Sequence, residues 1–277
     1  MQRLEDKVAV VLGASAEGGT GWGVAEGLAA AGAKVVVGAR SIAPLERLAD
    51  RIGGFSVACD GGDEAQIKAL RDAAIDRYGR IDVAVNCAAT PVMSSIASVT
   101  TEQLHLAAGV NFFGMTWFVR DMAEVMTDGG SVVIISSMST THPVLPHFAY
   151  ACAKAATECL VRYAAVEYGP RGIRVNGIRI GTVMSDMARE LYNAPGVTAQ
   201  FVKEIPLGRL GEPEDMADAV LWLSGRAYIS GSMIDVSGGN QLNRFPFLSE
   251  LPGGESNYEG AAALHDREQG RGHKIGG

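Results

Sequence analysis

Short apolar runs alternate along the chain with longer stretches in which apolar residues recur every three or four positions. The short runs are rich in Val and Ile and are bounded by Gly, Asn, Asp or Ser. This pattern is typical of strands that are buried on both faces of a parallel sheet. The predicted strands are Val8–Leu12, Lys34–Ala39, Phe55–Cys59, Asp82–Asn86, Ser131–Ser136, Arg174–Arg179 and Ser232–Val236.

The longer stretches have the spacing of amphipathic helices. The predicted helices are Gly23–Ala31, Ala43–Ile52, Asp63–Tyr78, Thr101–Met126, His147–Tyr168 and Pro213–Leu223. Strict alternation of strands and helices over residues 1–240 predicts a single α/β domain. We expect a doubly wound, Rossmann-type fold with a seven-stranded parallel sheet and helices on both faces.

Two segments depart from this alternation. Residues from about 180 to 211 form a long excursion of mixed polarity before the last helix. Insertions of this length in a compact domain are usually functional, so this one is predicted to be a substrate lid. Residues 241–277 are rich in glycine, and we expect either a flexible C-terminal tail or a tail packed on a neighbouring subunit.

Composition narrows the class of protein. Hydrophobic residues make up 47% of the chain and charged residues 20%, which is typical of a folded globular protein. A net charge of −7 leaves no basic surplus for a nucleic-acid backbone. The chain has no apolar run of 18 residues and no signal-peptide pattern, which predicts a cytoplasmic protein without a membrane partner. Four cysteines without metal-ligand spacing indicate neither a disulfide framework nor a zinc site.

A glycine-rich segment follows the first predicted strand. It runs from Gly13 through Ser15 to Gly21-Trp22-Gly23 and leads into a helix. In a strand–turn–helix unit, such a segment places backbone N–H groups and a helix N-terminus where the pyrophosphate of a dinucleotide binds. A plain flexible turn is the alternative interpretation. The position after the first strand of a βαβ series favours the dinucleotide.

The end of the second predicted strand indicates which dinucleotide binds. An NAD site usually has a carboxylate here for the ribose 2′-hydroxyl, whereas this strand ends in Arg40. An arginine can instead pair with a 2′-phosphate. We therefore expect NADP(H) as the preferred cofactor. NAD(H) is the alternative if Arg40 is only a surface residue at the strand end.

A tyrosine and a lysine form a candidate catalytic pair. Ser136 and Ser137 close the fifth predicted strand, and Tyr150 and Lys154 follow on a helix. A spacing of four residues places the tyrosine and the lysine on one helix face. Tyr150 is the only tyrosine of the chain with a lysine at this spacing. Because ligands bind at the carboxyl ends of strands in open α/β sheets, these residues are predicted to share one site.

With these motifs the chain resembles the short-chain dehydrogenase/reductase family from about Leu4 to Asn240. Further matches are Asp60, Asn86-Cys87-Ala88-Ala89, Asn111, Ile180-Gly181-Thr182-Val183 and the last-strand motif Asp235-Val236-Ser237-Gly238-Gly239. The resemblance implies an oxidoreductase that interconverts a secondary alcohol and a ketone by hydride transfer. It also implies cofactor contacts from Asp60, Asn86, Ala88, Gly181 and Val183, beside those of the glycine loop, Tyr150 and Lys154.

The glycine loop departs from the family pattern. Seven residues separate Gly13 from Gly21, where the family usually has three. The longer loop resembles that of enoyl reductases in the same superfamily, but those enzymes usually place Tyr and Lys seven residues apart. An enoyl (C=C) reductase is therefore one alternative function. A non-catalytic dinucleotide-sensing protein is another, although such a protein would be expected to lose Tyr150 or Lys154.

The resemblance assigns catalytic roles to four residues. Tyr150 would be the acid in reduction and, as a phenolate, the base in oxidation. The cation of Lys154 would favour the phenolate and hold the nicotinamide ribose. Ser137 would orient the substrate oxygen, and Asn111 would support Lys154 through a water-linked proton path. This chemistry needs no metal, because the cofactor carries the hydride.

The substrate pocket is expected between the turn after the fifth strand and the lid. Its predicted residues are Met138, His142, His147, Met184, Met187 and Tyr192. We expect a neutral, fairly bulky alcohol or ketone, with an acyl-thioester substrate as the open alternative. The helices at residues 101–126 and 147–168 are apolar on nearly every face and must be covered on both sides. Because such helices form the subunit contact in this family, the resemblance implies a homo-oligomer, a dimer or a tetramer.

Overall fold

The computed structural model describes residues 4–184, 192–247 and 250–252. Its strands are β1 (Val8–Leu12), β2 (Lys34–Ala39), β3 (Phe55–Ala58), β4 (Val83–Asn86), β5 (Gly130–Ser137), β6 (Ile173–Ile180) and β7 (Met233–Val236). All seven strands form one parallel sheet in the order β3-β2-β1-β4-β5-β6-β7. The predicted fold class is confirmed, and each strand ends within one residue of its predicted bounds.

Helices cover both faces of the sheet. They are α1 (Thr20–Ala30), α2 (Ile42–Ile52), α3 (Glu64–Tyr78), α4 (Thr101–Ala108), α5 (Met115–Val125), α6 (Phe148–Tyr168), α7 (Val197–Lys203) and α8 (Pro213–Ser224). Successive residues of β1 point to opposite faces, with Ala9 and Val11 in the core beneath α1, α2 and α8. Val10 and Leu12 enter the core beneath α3, α5 and α6.

Two predicted helices differ from the structure. Helix α1 begins at Thr20 rather than Gly23, because Gly19 in an extended conformation already serves as its N-cap. The single helix predicted over Thr101–Met126 is interrupted by a π-helical segment, Gly109–Gly114, between α4 and α5. The side-chain amide of Asn111 donates to the Ala107 carbonyl at 2.9 Å, and a side chain inserted into the hydrogen-bond ladder distorts a helix.

The sheet reverses its winding direction at β1. This strand lies between β2 and β4, so the chain builds one half of the sheet outward through β2 and the other half through β4. Leu12 at the end of β1 pairs with Asn86 at the end of β4. The carboxyl ends of the two strands open a crevice at this point, which is where open α/β sheets bind their ligands.

The predicted lid region contains a small core of its own. Helix α7 buries Val197 and Phe201 together with Ile205 and Leu210. Predicted lid residue Met187 and the predicted tail from residue 253 onward lie outside the described residues. Among the residues that the structure describes, no helix has both the length and the apolar character that crossing a membrane requires.

Candidate active site

The glycine loop between β1 and α1 lies tightly against the end of β4. Gly13 has a φ of 91°, and a Cβ on it would lie 2.5 Å from the Ala88 nitrogen. A Cβ on Gly21 would lie 2.2 Å from the Gly13 carbonyl oxygen, so neither position accepts a side chain. Trp22 is buried in the core, which leaves only its backbone for the predicted cofactor contact.

The additional residues of this loop form an outward turn. The Gly19 N–H donates to the Ala16 carbonyl at 2.9 Å, and Gly18 has a φ of 70°. Ala16, Glu17 and Gly18 are exposed. The insertion therefore leaves the close approach of Gly13 and Gly21 intact.

A cleft of about 250 Å³ opens beside the glycine loop. Gly13, Ser15, Arg40, Asp60 and Ala88, all predicted cofactor residues, are among those that line it. Arg40 is exposed, and none of the ion pairs found among the described residues involves it. The side-chain-free cradle and the unpaired cation fit a phosphorylated dinucleotide.

Asp60 also has a structural role in the turn before α3. Its carboxylate accepts a hydrogen bond from the Gly62 N–H at 2.9 Å and so closes the turn before α3. The N-cap of α3 itself is Asp63, whose carboxylate accepts from the Gln66 N–H. Asp60 thus lines the cleft and shapes its rim.

Two asparagines stabilise the loops beside the cleft. Asn86 Oδ1 accepts from the Ala88 N–H at 2.9 Å, whereas its buried Nδ2 has no partner among the described residues. Asn111 bonds both backbone groups of Thr90, as acceptor at 3.2 Å and as donor at 2.9 Å. Its backbone carbonyl accepts from the Thr157 hydroxyl. The Asn111 side chain therefore anchors the loop after β4, and its water-linked path to Lys154 stays a prediction.

The turn after β5 and helix α6 bring Ser137, Tyr150 and Lys154 together. Ser137 lies close enough to the Tyr150 hydroxyl to lower its pKa, and Lys154 Nζ lies 5.9 Å from the centre of the Tyr150 ring. Lys154 is fully buried, and its Nζ donates to the Ile135 carbonyl at 2.8 Å. An ammonium group has three donors, so two remain for a ligand. Ser136 points away, toward Glu158, which leaves Ser137 as the serine of the site.

Burial moves the pKa values of this group in opposite directions. Desolvation raises the pKa of Tyr150 to about 12, and the hydrogen bond from Ser137 partly opposes the rise. Desolvation lowers the pKa of Lys154 to about 8, with a small opposing contribution from Cys87. Without cofactor, Tyr150 is therefore held as a neutral phenol. A neutral phenol is the form expected of the acid in reduction, and the phenolate expected for oxidation stays a prediction.

Glu158 is a functional neighbour that the sequence reasoning missed. It is buried on α6 and accepts hydrogen bonds from Ser136 at 3.0 Å and Thr140 at 2.7 Å. Arg179 of β6 forms a two-point ion pair with it, at 2.8 Å for each bond. These contacts lower the pKa of Glu158 despite its burial. An acid four residues after Lys154 on an apolar helix was the available signal for this anchor.

The predicted pocket residues divide into two groups. His147 lies beside the site, with its ring edge-on to Tyr150 at 6.3 Å between centres, and burial lowers its pKa. His142 follows the same turn, where its Nδ1 bonds the Thr141 hydroxyl. Met138 is fully buried and exposes no surface to a substrate, which corrects its assignment to the pocket.

Two further pocket residues belong to the α7 region. Met184 and Tyr192 pack against the small core of α7, and the Tyr192 ring meets Phe201 edge-on at 5.3 Å. Burial raises the pKa of Tyr192. Any contact of Met184 and Tyr192 with a substrate therefore depends on where the α7 region lies.

The segment after β6 lies against the end of β7. Gly181 donates its N–H to the Val236 carbonyl at 3.1 Å, and a Cβ on it would lie 2.5 Å from the Ser237 Cβ. Val183 is buried and forms a parallel bridge with Gly211. Only the backbone of these two residues is therefore open to a cofactor contact.

Comparisons with known proteins agree with this geometry. Residues 13–241 match a family model described as "Enoyl-(Acyl carrier protein) reductase". The 7alpha-hydroxysteroid dehydrogenase of Escherichia coli (strain K12) is 33% identical over 246 residues, which are 86% of this chain and 95% of that protein. The galactitol 2-dehydrogenase (L-tagatose-forming) of Cereibacter sphaeroides is 30% identical, covering 86% and 96%.

A solved short-chain type dehydrogenase/reductase from Mycobacterium ulcerans has the same fold. It superposes with a TM-score of 0.88 and 29% identity, over 95% of this chain and 98% of that chain. Fold and site thus define an NAD(P)-dependent oxidoreductase that acts on CH–OH or C=O groups. The chain belongs to the short-chain dehydrogenase/reductase family.

Proposed function

We propose that the protein interconverts a secondary alcohol and a ketone, with NADP(H) as its preferred cofactor and Tyr150 as the acid and base. The observation that carries this proposal is the juxtaposition of Ser137 and Tyr150 beside buried Lys154, whose Nζ lies 5.9 Å from the centre of the Tyr150 ring. The pair lies on α6 and the turn after β5, and the glycine cradle follows β1 in the same sheet. When bound, the nicotinamide cofactor supplies or accepts the hydride.

Each residue of the pair has a defined task in reduction. Tyr150, whose pKa is raised to about 12, carries its proton at neutral pH and can donate it to the carbonyl oxygen of a ketone. Ser137 supplies a second hydrogen bond to the same oxygen as negative charge develops on it. Lys154 has two donors left for the hydroxyls of the cofactor ribose. Asn111 holds the loop after β4 against α4.

NADP(H) is favoured by the position and freedom of Arg40. The arginine lines the cleft at the end of β2, and no acid occupies the neighbouring position there. A guanidinium group without an ion-pair partner binds a phosphate by charge-assisted hydrogen bonds. Of the other predicted cofactor residues, Gly13, Gly21 and Gly181 offer backbone groups. Asp60 and Lys154 offer side chains.

An enoyl reductase is the second candidate function. The description of the matching family model and the lengthened glycine loop favour it. The spacing of Tyr150 and Lys154 and the names of the relatives, which are steroid and polyol dehydrogenases, favour the alcohol and ketone reaction. A bulky hydroxylated compound is the substrate class that we propose.

The activity is tested by a substrate panel. Purified protein and NADPH are mixed with cyclic ketones, keto-steroids, keto-sugars and an α,β-unsaturated acyl thioester, and oxidation of NADPH is followed. We expect turnover of a ketone, reduced about a thousandfold in Tyr150→Phe because the proton donor is lost. Turnover of the thioester alone would indicate the enoyl reductase. Cofactor binding without any turnover would indicate the non-catalytic dinucleotide-sensing protein.

Cofactor preference is tested separately by fluorescence titration with NADPH and NADH. We expect NADPH to bind more tightly, and Arg40→Ala to weaken NADPH binding by about tenfold or more while NADH binding is unchanged. Arg47→Ala is the matched control, because Arg47 is an exposed arginine paired with Glu17 and does not line the cleft. Equal affinities for the two cofactors in the wild-type protein would contradict the assignment of Arg40.

We also propose a homo-oligomer. Helix α6 exposes Tyr163 to 66% and Val166 to 78%, and Phe113 beside α5 is 45% exposed. Apolar side chains of this size on neighbouring helices favour burial against a second copy of the chain. Sedimentation of the purified protein measures its oligomeric state. We expect a homo-oligomer, and a monomer would contradict the proposal.

A further inference from the structure

The hydroxyl of Ser137 receives two hydrogen bonds from a single neighbour. Ser139 lies two residues later in the 3-10 turn after β5, and it is 5% exposed. Its backbone N–H donates to Ser137 Oγ at 3.2 Å, and its own hydroxyl donates to the same atom at 2.9 Å. Tyr150 of α6 is the neighbouring group of the proposed site, and Ser137 is close enough to its hydroxyl to lower its pKa.

These two hydrogen bonds leave the Ser137 hydroxyl only one direction in which to donate a hydrogen bond of its own. A serine hydroxyl has two acceptor lone pairs and one O–H donor. Both lone pairs are engaged by Ser139, so the Ser137 oxygen has no acceptor capacity left for Tyr150 or for a substrate. The Ser137 proton therefore points to the remaining partner, which is the Tyr150 oxygen or a substrate oxygen placed beside it.

We propose that Ser139 is a positioning residue that fixes the Ser137 hydroxyl as a hydrogen-bond donor in the active site. The inference rests on the proposed function, because it concerns how the proposed Ser137 acts. An oxygen that gains negative charge during reduction is stabilised by donors that already point at it. Without the Ser139 hydroxyl, one lone pair of Ser137 becomes free, and the Ser137 hydroxyl can rotate and accept a hydrogen bond from the Tyr150 hydroxyl instead.

The turn does not depend on the Ser139 hydroxyl for its shape. Thr140 donates to Glu158 at 2.7 Å and lies 2.9 Å from the Ser137 carbonyl. The Thr141 N–H donates to the Met138 carbonyl at 3.1 Å. The backbone bond from Ser139 to Ser137 also remains in Ser139→Ala. We therefore expect this variant to fold and to lose the orientation of the Ser137 hydroxyl selectively.

The test is a double-mutant cycle on the ketone that the substrate panel identifies. The four proteins are the wild type, Ser139→Ala, Ser137→Ala and the double variant. We expect Ser139→Ala to lower kcat by about tenfold, the value of one hydrogen bond, with KM changed by less than about twofold. In the Ser137→Ala background the same substitution should have no further effect. Ser139→Thr, which keeps a hydroxyl, should restore most of the rate.

Thr141→Val is the matched control. It removes a hydroxyl from the same turn, one that bonds the Met138 carbonyl and His142 but does not contact Ser137. We expect its kcat to stay within about twofold of the wild type. An equal loss in Ser139→Ala with and without Ser137, or an equal loss in Thr141→Val, would show a purely structural role and overturn the proposal.

The cycle also separates this inference from the proposed function. If Ser137→Ala and Tyr150→Phe lower turnover and Ser139→Ala does not, the positioning role fails and the proposed function stands. If neither Ser137→Ala nor Tyr150→Phe changes turnover, the catalytic assignment itself fails. A protein without turnover on the whole panel would overturn both.

Discussion

The two ends of the cofactor-binding edge differ in their exposure to water. At the catalytic end, Lys154 is fully buried, Glu158 is buried beneath the serine turn, and desolvation shifts the pKa values of Tyr150 and Lys154. At the nucleotide end, Arg40 is exposed at the mouth of a shallow cleft. The same edge of the sheet thus has a dry end, where water is excluded, and a wet end, which is open to water.

The difference assigns separate tasks to the two ends. Charges act more strongly where water is excluded, so the dry end can polarise a reacting oxygen. At the wet end, Arg40 stays solvated when no cofactor is bound, so no desolvation penalty arises there. Its flexible guanidinium can hold a phosphate. Substitutions at the dry end should change stability as well as rate, whereas those at the wet end should change cofactor binding alone.

The largest effect on stability is expected from Glu158→Ala. The substitution leaves Arg179, whose side chain is 18% exposed, without its two-point partner, and it releases Ser136 and Thr140. Breaking a buried pair in this way costs about 3 kcal/mol of unfolding free energy. Denaturant unfolding measures the loss. Glu167→Ala on the exposed face of the same helix is the control, with an expected change below about 0.5 kcal/mol.

A gain in stability is expected from Lys154→Met. The pKa of Lys154 is lowered from 10.5 to about 8, so its charged form is disfavoured in the folded protein. The folded state binds fewer protons between these values, and wild-type stability falls as the pH decreases from 10.5 to 8. Allowing for the lost hydrogen bond to the Ile135 carbonyl, we expect the free energy of unfolding of Lys154→Met at pH 7 to exceed that of the wild type by about 2 kcal/mol.

The pH series makes this prediction specific. The advantage of Lys154→Met over the wild type should be constant below pH 8 and should shrink as the pH approaches 10.5. Denaturant unfolding without cofactor at several pH values measures it. A difference between the two proteins that does not change with pH would mean that Lys154 is not desolvated as the structure indicates.

The smallest effect on stability belongs to the wet end. Arg40 is exposed and forms none of the ion pairs found in the described part of the chain. Arg40→Ala should therefore change the free energy of unfolding by less than about 0.5 kcal/mol, although we expect it to weaken NADPH binding. A large loss of stability in this variant would remove the contrast between the two ends.

The sequence predicted the sheet almost completely because the patterns that indicate strands involve residues close together in the chain. Val- and Ile-rich runs gave β1 and β2 with their observed bounds, and the spacing of Tyr150 and Lys154 was enough to place the pair on one helix face. The family resemblance then supplied the assignment of Asp60 to the cleft that it lines.

The features that the sequence did not predict depend on contacts between distant segments. The π-helical turn arises from Asn111, whose side chain bonds Thr90 from another loop as well as Ala107. The pKa of Tyr150 depends on how much water the assembled fold excludes from it. The burial of Met138 is likewise a tertiary property, because neighbours on other elements determine how much of its side chain is enclosed.

The glycines of α1 also affect how the substrate side of the fold can vary. A Cβ on Gly23 would lie 2.5 Å from the Pro213 Cβ, and one on Gly27 would lie 2.9 Å from the Ala217 Cβ, so α1 and α8 are in close contact. At the other end, Gly181 is held against Ser237. The polypeptide between Gly181 and Pro213 is also tied to the residues after β7, because the Leu207 N–H donates to the Gly238 carbonyl and Asn240 Nδ2 donates to the Glu204 carbonyl. We expect a segment exchanged from a relative to leave the nucleotide cradle unchanged only where it preserves these contacts.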